Sequence, residues 1–356
     1  MSPAPEKLST TKSQGNKAGG ALATSAGLPV AASARWHSYG KYVERYGLLG
    51  AWAIEIVIFS FLVPAFHQIT TIQIVLSSQT TQIVVTLAVL VALIGGEFDL
   101  SVSNVLAYAG AFLAMLNTQE HLPIVLSIVI VLAGAAAFGA FNALVVLRSG
   151  IPSIIITLGS GTLIAGIGEG IAGVQPRGGV SPDFVNVVSK EYLGLPVSFY
   201  IAVAIGLLLY YWLQHTPWGR NFSFVGRNRD VARLTGLHVS RLRATALISC
   251  SVLSALAGIL LVGSTGASDP TTASSYLLPA LAGAFLGSTV IRPGQFNIGG
   301  TFVAVYFLVT GVVGLDLEGY SGWVQDTFYG ASLLVAVVST QMVVQRTGRA
   351  STVLRI

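Results

Sequence analysis

Long apolar runs recur along this chain, and no other feature limits its fold so strongly. A helix needs about 20 consecutive apolar residues to cross the hydrocarbon of a bilayer. Runs of that kind lie at roughly 47–66, 72–95, 99–117, 122–147, 152–173, 198–214, 243–264, 276–290, 298–315 and 322–344. They predict an all-α integral membrane protein with about ten transmembrane helices. The second and third runs are parted only by Gly95-Gly96-Glu97-Phe98-Asp99, and the eighth is short. Charge supports the same reading. Only 9% of residues are charged, whereas a soluble domain carries roughly 25%. Forty glycines provide the small surfaces that let helices approach closely in lipid.

The regions outside the runs divide simply. Residues 1–46 read as a disordered cytoplasmic tail followed by an interfacial segment. The tail is rich in Ser, Ala, Gly, Thr and Lys, and Trp36 to Tyr42 mixes aromatics with bases suited to lipid headgroups. Residues 47–344 form the transmembrane domain, and 345–356 a second cytoplasmic tail. An even number of crossings puts both termini on one side. With that side inside, 17 of the 19 basic residues fall in inside segments and only Arg177 and Lys190 outside, as the positive-inside rule requires. The net charge of +5 therefore reads as an orientation signal rather than a nucleic-acid surface. The longest outside segment is 174–197, and the longest inside loop is 215–242.

Several chemistries find no footing. No G-x-x-x-x-G-K-[ST] phosphate loop, nucleophile elbow or H-E-x-x-H pattern occurs, so the chain offers no nucleotide site or hydrolytic centre of its own. The single cysteine, Cys250, lies in an apolar run and fits core packing, and nothing has the spacing of a metal site. No cofactor is expected in this chain. Were the chain to move a solute, the energy would have to come from an ion gradient or from another subunit.

The inside loop is the most informative segment. In Gly226-Arg227-Asn228-Arg229-Asp230-Val231-Ala232-Arg233-Leu234-Thr235-Gly236, Asn228 can cap a short helix and Asp230 sits in its first turn. Val231 and Leu234 share a face, and Gly236 suits a left-handed stop. A capped helix with an apolar ridge and flanking arginines makes a docking peg. It could equally lie on anionic lipid. Arg229 and Arg233, four apart, are placed to meet acids on a partner.

At this loop the sequence resembles the ribose-type, monosaccharide branch of bacterial ATP-binding-cassette (ABC) importer permeases, the inner-membrane component of binding-protein-dependent transport. That family's loop runs Gly-x-Asn-x-x-Ala-Ala-x-x-x-Gly-Ile. Gly226, Asn228, Ala232 and Gly236 match it, while Val231 and Leu237 replace Ala and Ile. Gly95 to Val102 resembles its Gly-Gly-Ile-Asp-Leu-Ser-Val signature with one extra residue, and Ile151 to Gly159 resembles its Val-Pro-x-Phe-Ile-x-Thr-Leu-Gly segment. Leu286-Gly287-Ser288-Thr289 and Gly299-Gly300-Thr301 also fit, so the likeness covers about 47–343. Glu97 and the segment Ile291 to Asn297 depart from the pattern.

The resemblance implies a permease that takes up a monosaccharide or similar small polar solute in the bacterial inner membrane. It implies two ATPase subunits, a second permease chain and an extracytoplasmic solute-binding protein as partners. Gly226, Asn228, Arg229, Val231, Ala232, Arg233, Leu234 and Gly236 then form the ATPase-coupling segment. Polar residues within the runs are candidates for the translocation pathway: Gln79, Thr80 and Gln82 in the second, Asn104 in the third, Asn142 in the fourth and Thr157 in the fifth. Interhelical hydrogen bonding explains the same residues. Glu97 and Asp99 read as helix-start caps at the cytoplasmic interface.

Ala107 to Leu113 echoes Ala280 to Leu286, which would fit an inverted repeat relating spans 2–5 to spans 7–10. An ion-coupled carrier using Glu55, Glu97, Asp99 or Glu169 is the competing mechanism, and a non-transporting scaffold a third. A nucleoside or an amino acid is the alternative solute.

Overall fold

A computed structural model describes residues 30–66, 68–320 and 322–347. The chain divides into two units, 1–41 and 42–356, and the packing set out here belongs to the second. The expected tails, over 1–29 and 348–356, lie outside the described residues. Helix α1 runs Val30–Leu62, so helix begins well before the apolar run at 47.

The order continues with α2 (Ile69–Ser77), α3 (Thr80–Ile94), α4 (Val102–Thr118), α5 (Ile124–Ser149) and α6 (Ser153–Ala172). Next come β1 (Arg177–Gly178), α7 (Pro182–Ser189), β2 (Glu191–Tyr192), β3 (Leu195–Pro196) and α8 (Val197–His215). Then follow α9 (Pro217–Arg227), α10 (Arg229–Leu234), α11 (Val239–Thr265), β4 (Ala267–Ser268) and a 3-10 turn at Pro270–Thr272. The last helices are α12 (Ala273–Gly287), α13 (Ile298–Leu317) and α14 (Trp323–Thr347). The regular structure of the described residues is helical, apart from four two-residue strands.

Among the described residues, seven helical stretches are long and apolar enough to cross a membrane: 45–62 of α1, the broken α2–α3 unit over 69–94, α5, α6, α8, α11 and α13. Helix α4 has the composition but only 17 residues, and α12 has 15 with Pro279 inside it. The run expected as one span at 72–95 is broken at Ser78–Gln79. Ser77 turns its hydroxyl onto the Gln73 carbonyl and Thr80 onto that of Ser77, and side chains that bond nearby backbone compete with a continuous helix.

Apolar residues fill the interior and also cover the outside. Every residue of α3 is buried, so this helix is the axis around which α11, α12, α13 and α8 pack. The periphery is apolar as well: Phe61 is 86%, Val125 70% and Leu208 69% exposed. Such a surface needs lipid rather than water. Glycine makes the tightest crossings. A Cβ on Gly258 of α11 would stand 2.1 Å from the Leu106 carbonyl of α4, and one on Gly300 of α13 2.2 Å from that of Gly287. Leu286-Gly287-Ser288-Thr289 and Gly299-Gly300-Thr301 thus meet each other. Asn297 locks that meeting, accepting from Gly300 N (2.7 Å) and donating to the carbonyls of Gly287 and Val290.

The two long connections are structured and lie at opposite ends of α8. Residues 174–197 hold α7, the β2–β3 hairpin and β1, which pairs antiparallel with β4. Residues 215–242 hold α9 and α10. The Thr216 hydroxyl caps α9 by accepting from Gly219 N, with Pro217 at the first helical position.

Candidate functional site

The site begins where α3 stops. Gly96 takes φ +77°, Glu97 N donates to the Ala92 carbonyl and Gly96 N to that of Leu93. This is the glycine-dependent left-handed helix end, and it turns the chain abruptly at the base of the central helix. Two hydroxyls of α6 hold the extended residues that follow: Phe98 N donates to Ser153 Oγ (2.9 Å) and Leu100 N to Thr157 Oγ1 (3.0 Å). Asp99 Oδ1 then accepts from both the amide and the hydroxyl of Ser101, just before α4. The break between α3 and α4 is therefore a fixed joint. Aromatic contact carries it onward: Phe98 lies 6.3 Å from Phe285 of α12, which meets Phe296 edge-on at 5.5 Å.

The expected coupling segment sits directly on this joint. Asn228 Oδ1 accepts from Val231 N (3.1 Å) and caps α10, and Gly236 ends it at φ +79°. Both follow from local chemistry, as expected. Ala232 is fully buried beneath α10, whereas Val231 is 43% and Leu234 88% exposed. The apolar ridge is therefore presented outward, Leu234 more fully than Val231. Gly226 at the end of α9 lies on the α3 terminus so closely that a Cβ would stand 1.9 Å from the Ile94 carbonyl. Gly95 is equally confined, between Phe222 and Ala246.

An ion cluster fastens the contact. The Glu97 side chain is fully buried and lies 3.0 Å from Arg229 Nη2 of α10. Arg243, near the start of α11, grips the same carboxylate with two nitrogens, one of them 3.3 Å from Oε2. Arg229 also donates to the Gly96 carbonyl. Burial pulls the Arg229 guanidinium below its ordinary value, which the Glu97 carboxylate opposes; arginine starts so high that it stays charged.

Two expectations change here. Glu97 is no helix cap: it is the buried centre of a three-residue ion cluster. Arg229 does not await a partner's acid, because Glu97 already engages it. Arg233 remains largely exposed, 3.7 Å from Asp230. Arg243 is one of the 17 basic residues expected inside, and its pairing with Glu97 goes beyond setting orientation. The signal for its role was the acid itself, since a carboxylate at a span junction is costly without a cation.

The pathway candidates do not form one cluster. Gln79, Thr80 and Gln82 lie at the start of α3, which at 15 residues puts them about 22 Å from the joint. Gln79 is half-buried, Thr80 bonds to Ser77 and Gln82 donates to Thr86 (3.3 Å). Thr157 spends its hydroxyl on the joint, donating to the Phe98 carbonyl at 3.3 Å, and Asn104 packs beside Gly161 of α6. Asn142 on α5 is fully buried, and its amide nitrogen and oxygen have no partner among the described residues. Of the acids weighed for ion coupling, Glu97 is held by two arginines, and Glu169 accepts from Tyr108 at 3.3 Å.

Comparison with known proteins agrees with this architecture. The family model described as "Branched-chain amino acid transport system / permease component" matches residues 70–337. The autoinducer 2 import system permease protein LsrD of Photorhabdus laumondii is 27% identical over 305 residues, covering 84% of this chain and 91% of its own. Its namesake from Yersinia enterocolitica is 29% identical, over 74% and 81% of the two chains. That from Escherichia coli is 28% identical, over 86% and 94%. No solved structure matches.

Proposed function

We infer that this chain, which belongs to the branched-chain amino acid transport system / permease component family, couples solute passage to ATP hydrolysis through α10 and the joint at Gly95–Ser101. It is a permease subunit of an ABC importer for a small polar solute, a multi-pass membrane protein and not an enzyme. ATP hydrolysis belongs to a separate ATPase, and a solute-binding protein works with the importer.

The observation that carries the coupling reading is the attachment of α10 to the base of the central helix. Displacing α10 moves Arg229, and Arg229 is bound to both Glu97 and the Gly96 carbonyl. The joint in turn is bonded to α6 through Ser153 and Thr157 and packed against α12 through Phe98. A push on a six-residue helix is thereby delivered to three membrane helices. The exposed Val231 and Leu234 ridge is the surface on which an ATPase bears.

Finer features complete the reading. The short helices α4 and α12, with α14, bring the crossings to ten in the bacterial inner membrane, and both termini are cytoplasmic. The heptads of α4 and α12 are equivalent positions in an inverted repeat of spans 2–5 and 7–10. Two ATPases and a second permease chain, identical or homologous, complete the assembly. The solute is neutral, a monosaccharide or a similar small polar molecule; the relatives are named for import of autoinducer 2. Hydroxyls and amides along the helices suit such a ligand, whereas the basic residues gather at helix ends. Buried hydrogen-bonding groups discriminate strongly against a solute that leaves them unpaired.

Proteoliposomes carrying the permease with its cognate ATPase and binding protein test this. Uptake of ribose, other pentoses, hexoses and autoinducer 2 is expected only with internal ATP, and at least one of these solutes is taken up. Transport by the chain alone under an ion gradient contradicts the ABC reading. Exclusive uptake of a charged amino acid contradicts the solute class.

A further inference from the structure

A cavity of about 380 Å³ opens beside the coupling segment, between the α8–α9 corner and the 288–298 connection. Its walls carry Arg220, Arg227 and Arg292 together with Gln214, Gln295 and Ser223, and no Asp or Glu among the described residues. Arg220 and Arg227 are seven residues apart on α9, two turns up one face. Arg292 reaches in from the other side, in the segment that departs from the family's glycine-rich pattern.

Two of the three guanidiniums are already oriented, and by neutral groups. Arg227 donates to Gln295 Oε1 at 2.9 Å and Arg292 to Gln214 Oε1 at 2.8 Å. An amide fixes the direction of a guanidinium without cancelling its charge. Three like charges around one cavity repel each other unless an anion joins them. Guanidinium forks match the oxygens of phosphate, often with two hydrogen bonds each. The depth of the cavity fits as well. Tyr210, Tyr211 and Trp218, all exposed, surround the α8–α9 corner, and exposed aromatics of that kind mark the headgroup level of a bilayer. Leu213 and Phe296 add an apolar part to the lining.

We propose that this cavity binds a phosphate-bearing anion through Arg220, Arg227 and Arg292, as the headgroup of an anionic lipid or as soluble phosphate. Occupancy would tie the end of α9, and with it Gly226 against the joint, to the state of the surrounding membrane.

The test uses the full chain purified in a zwitterionic detergent. Thermal unfolding is followed against short-chain phosphatidylglycerol, short-chain phosphatidylcholine and inorganic phosphate, for wild type and for Arg220→Gln/Arg292→Gln. Both residues are exposed, so the double variant is expected to elute as one species with unchanged helicity; each single variant serves as a second measurement. Wild type is expected to be stabilised by phosphatidylglycerol, and each lost arginine to raise the concentration needed by roughly tenfold. Phosphatidylglycerol acting well below the phosphate concentration assigns the site to lipid. Equal potency of inorganic phosphate assigns it to a soluble anion. Two results overturn the proposal: no stabilisation of wild type by either anion, or the same response in the variants. If the variants instead fail to assemble with the ATPase while wild type binds no phosphate, the cavity is a protein-docking face and the proposal is also wrong.

Discussion

Glu97 is the residue on which the joint depends. Its carboxylate is fully out of solvent, with two guanidiniums around it, and removing one member of such a cluster strands the others. Glu97→Ala leaves Arg243, only 14% exposed, without its acid, a loss expected to be about 3–5 kcal/mol. Arg229→Gln should cost far less, about 1 kcal/mol, because Arg229 is 36% exposed and Arg243 still neutralises the carboxylate. The fraction of protein remaining monodisperse after graded heating in detergent should therefore rank wild type, Arg229→Gln, Glu97→Ala. Equal stability of all three would show that the cluster is structurally idle. The sequence announces that an acid stands at a span junction, but not what neutralises it. Its partners lie 132 and 146 residues away, and pairing over such distances is decided by helix packing. Asn228 and Gly236 were legible because capping is local. Thr157 was legible as a buried polar group, though its bonds go to the joint.

Among the elements, the long apolar runs marked the helices well, since in lipid length and hydropathy constrain a crossing directly. The breaks were harder to read. Ser78–Gln79 splits one run into α2 and α3 through side-chain bonds to backbone, which leave hydropathy almost unchanged. The connections also carry more structure than their composition announces. The β2–β3 hairpin and α10 stand at opposite ends of α8, a helix of 19 residues or about 28 Å. This separation makes orientation testable. Leu193 in the hairpin is 97% exposed and Leu234 88%. With Cys250 replaced by Ser, an impermeant thiol reagent on spheroplasts should label a cysteine at 193 and spare one at 234. The reverse pattern would place both termini outside.

For the whole molecule, the account rests on force entering at α10 and spreading through the joint into α3, α6 and α12. The α10 helix is far below the length at which an isolated helix is stable in water, so it is held in shape by the joint beneath it. What remains outward is the ridge of Val231 and Leu234. Leu234→Asp puts a carboxylate into the expected ATPase contact and leaves every membrane helix untouched. It should weaken docking by roughly 3 kcal/mol, about a hundredfold, with normal expression and insertion. The decisive measurement is ATP hydrolysis by the reconstituted complex, with and without solute-loaded binding protein, at ATPase concentrations that saturate wild type. Wild type should show stimulated hydrolysis, and Leu234→Asp should show only the unstimulated rate. Stimulation retained in full by both Leu234→Asp and Val231→Asp/Leu234→Asp would contradict the account, because force would then enter the permease somewhere other than α10.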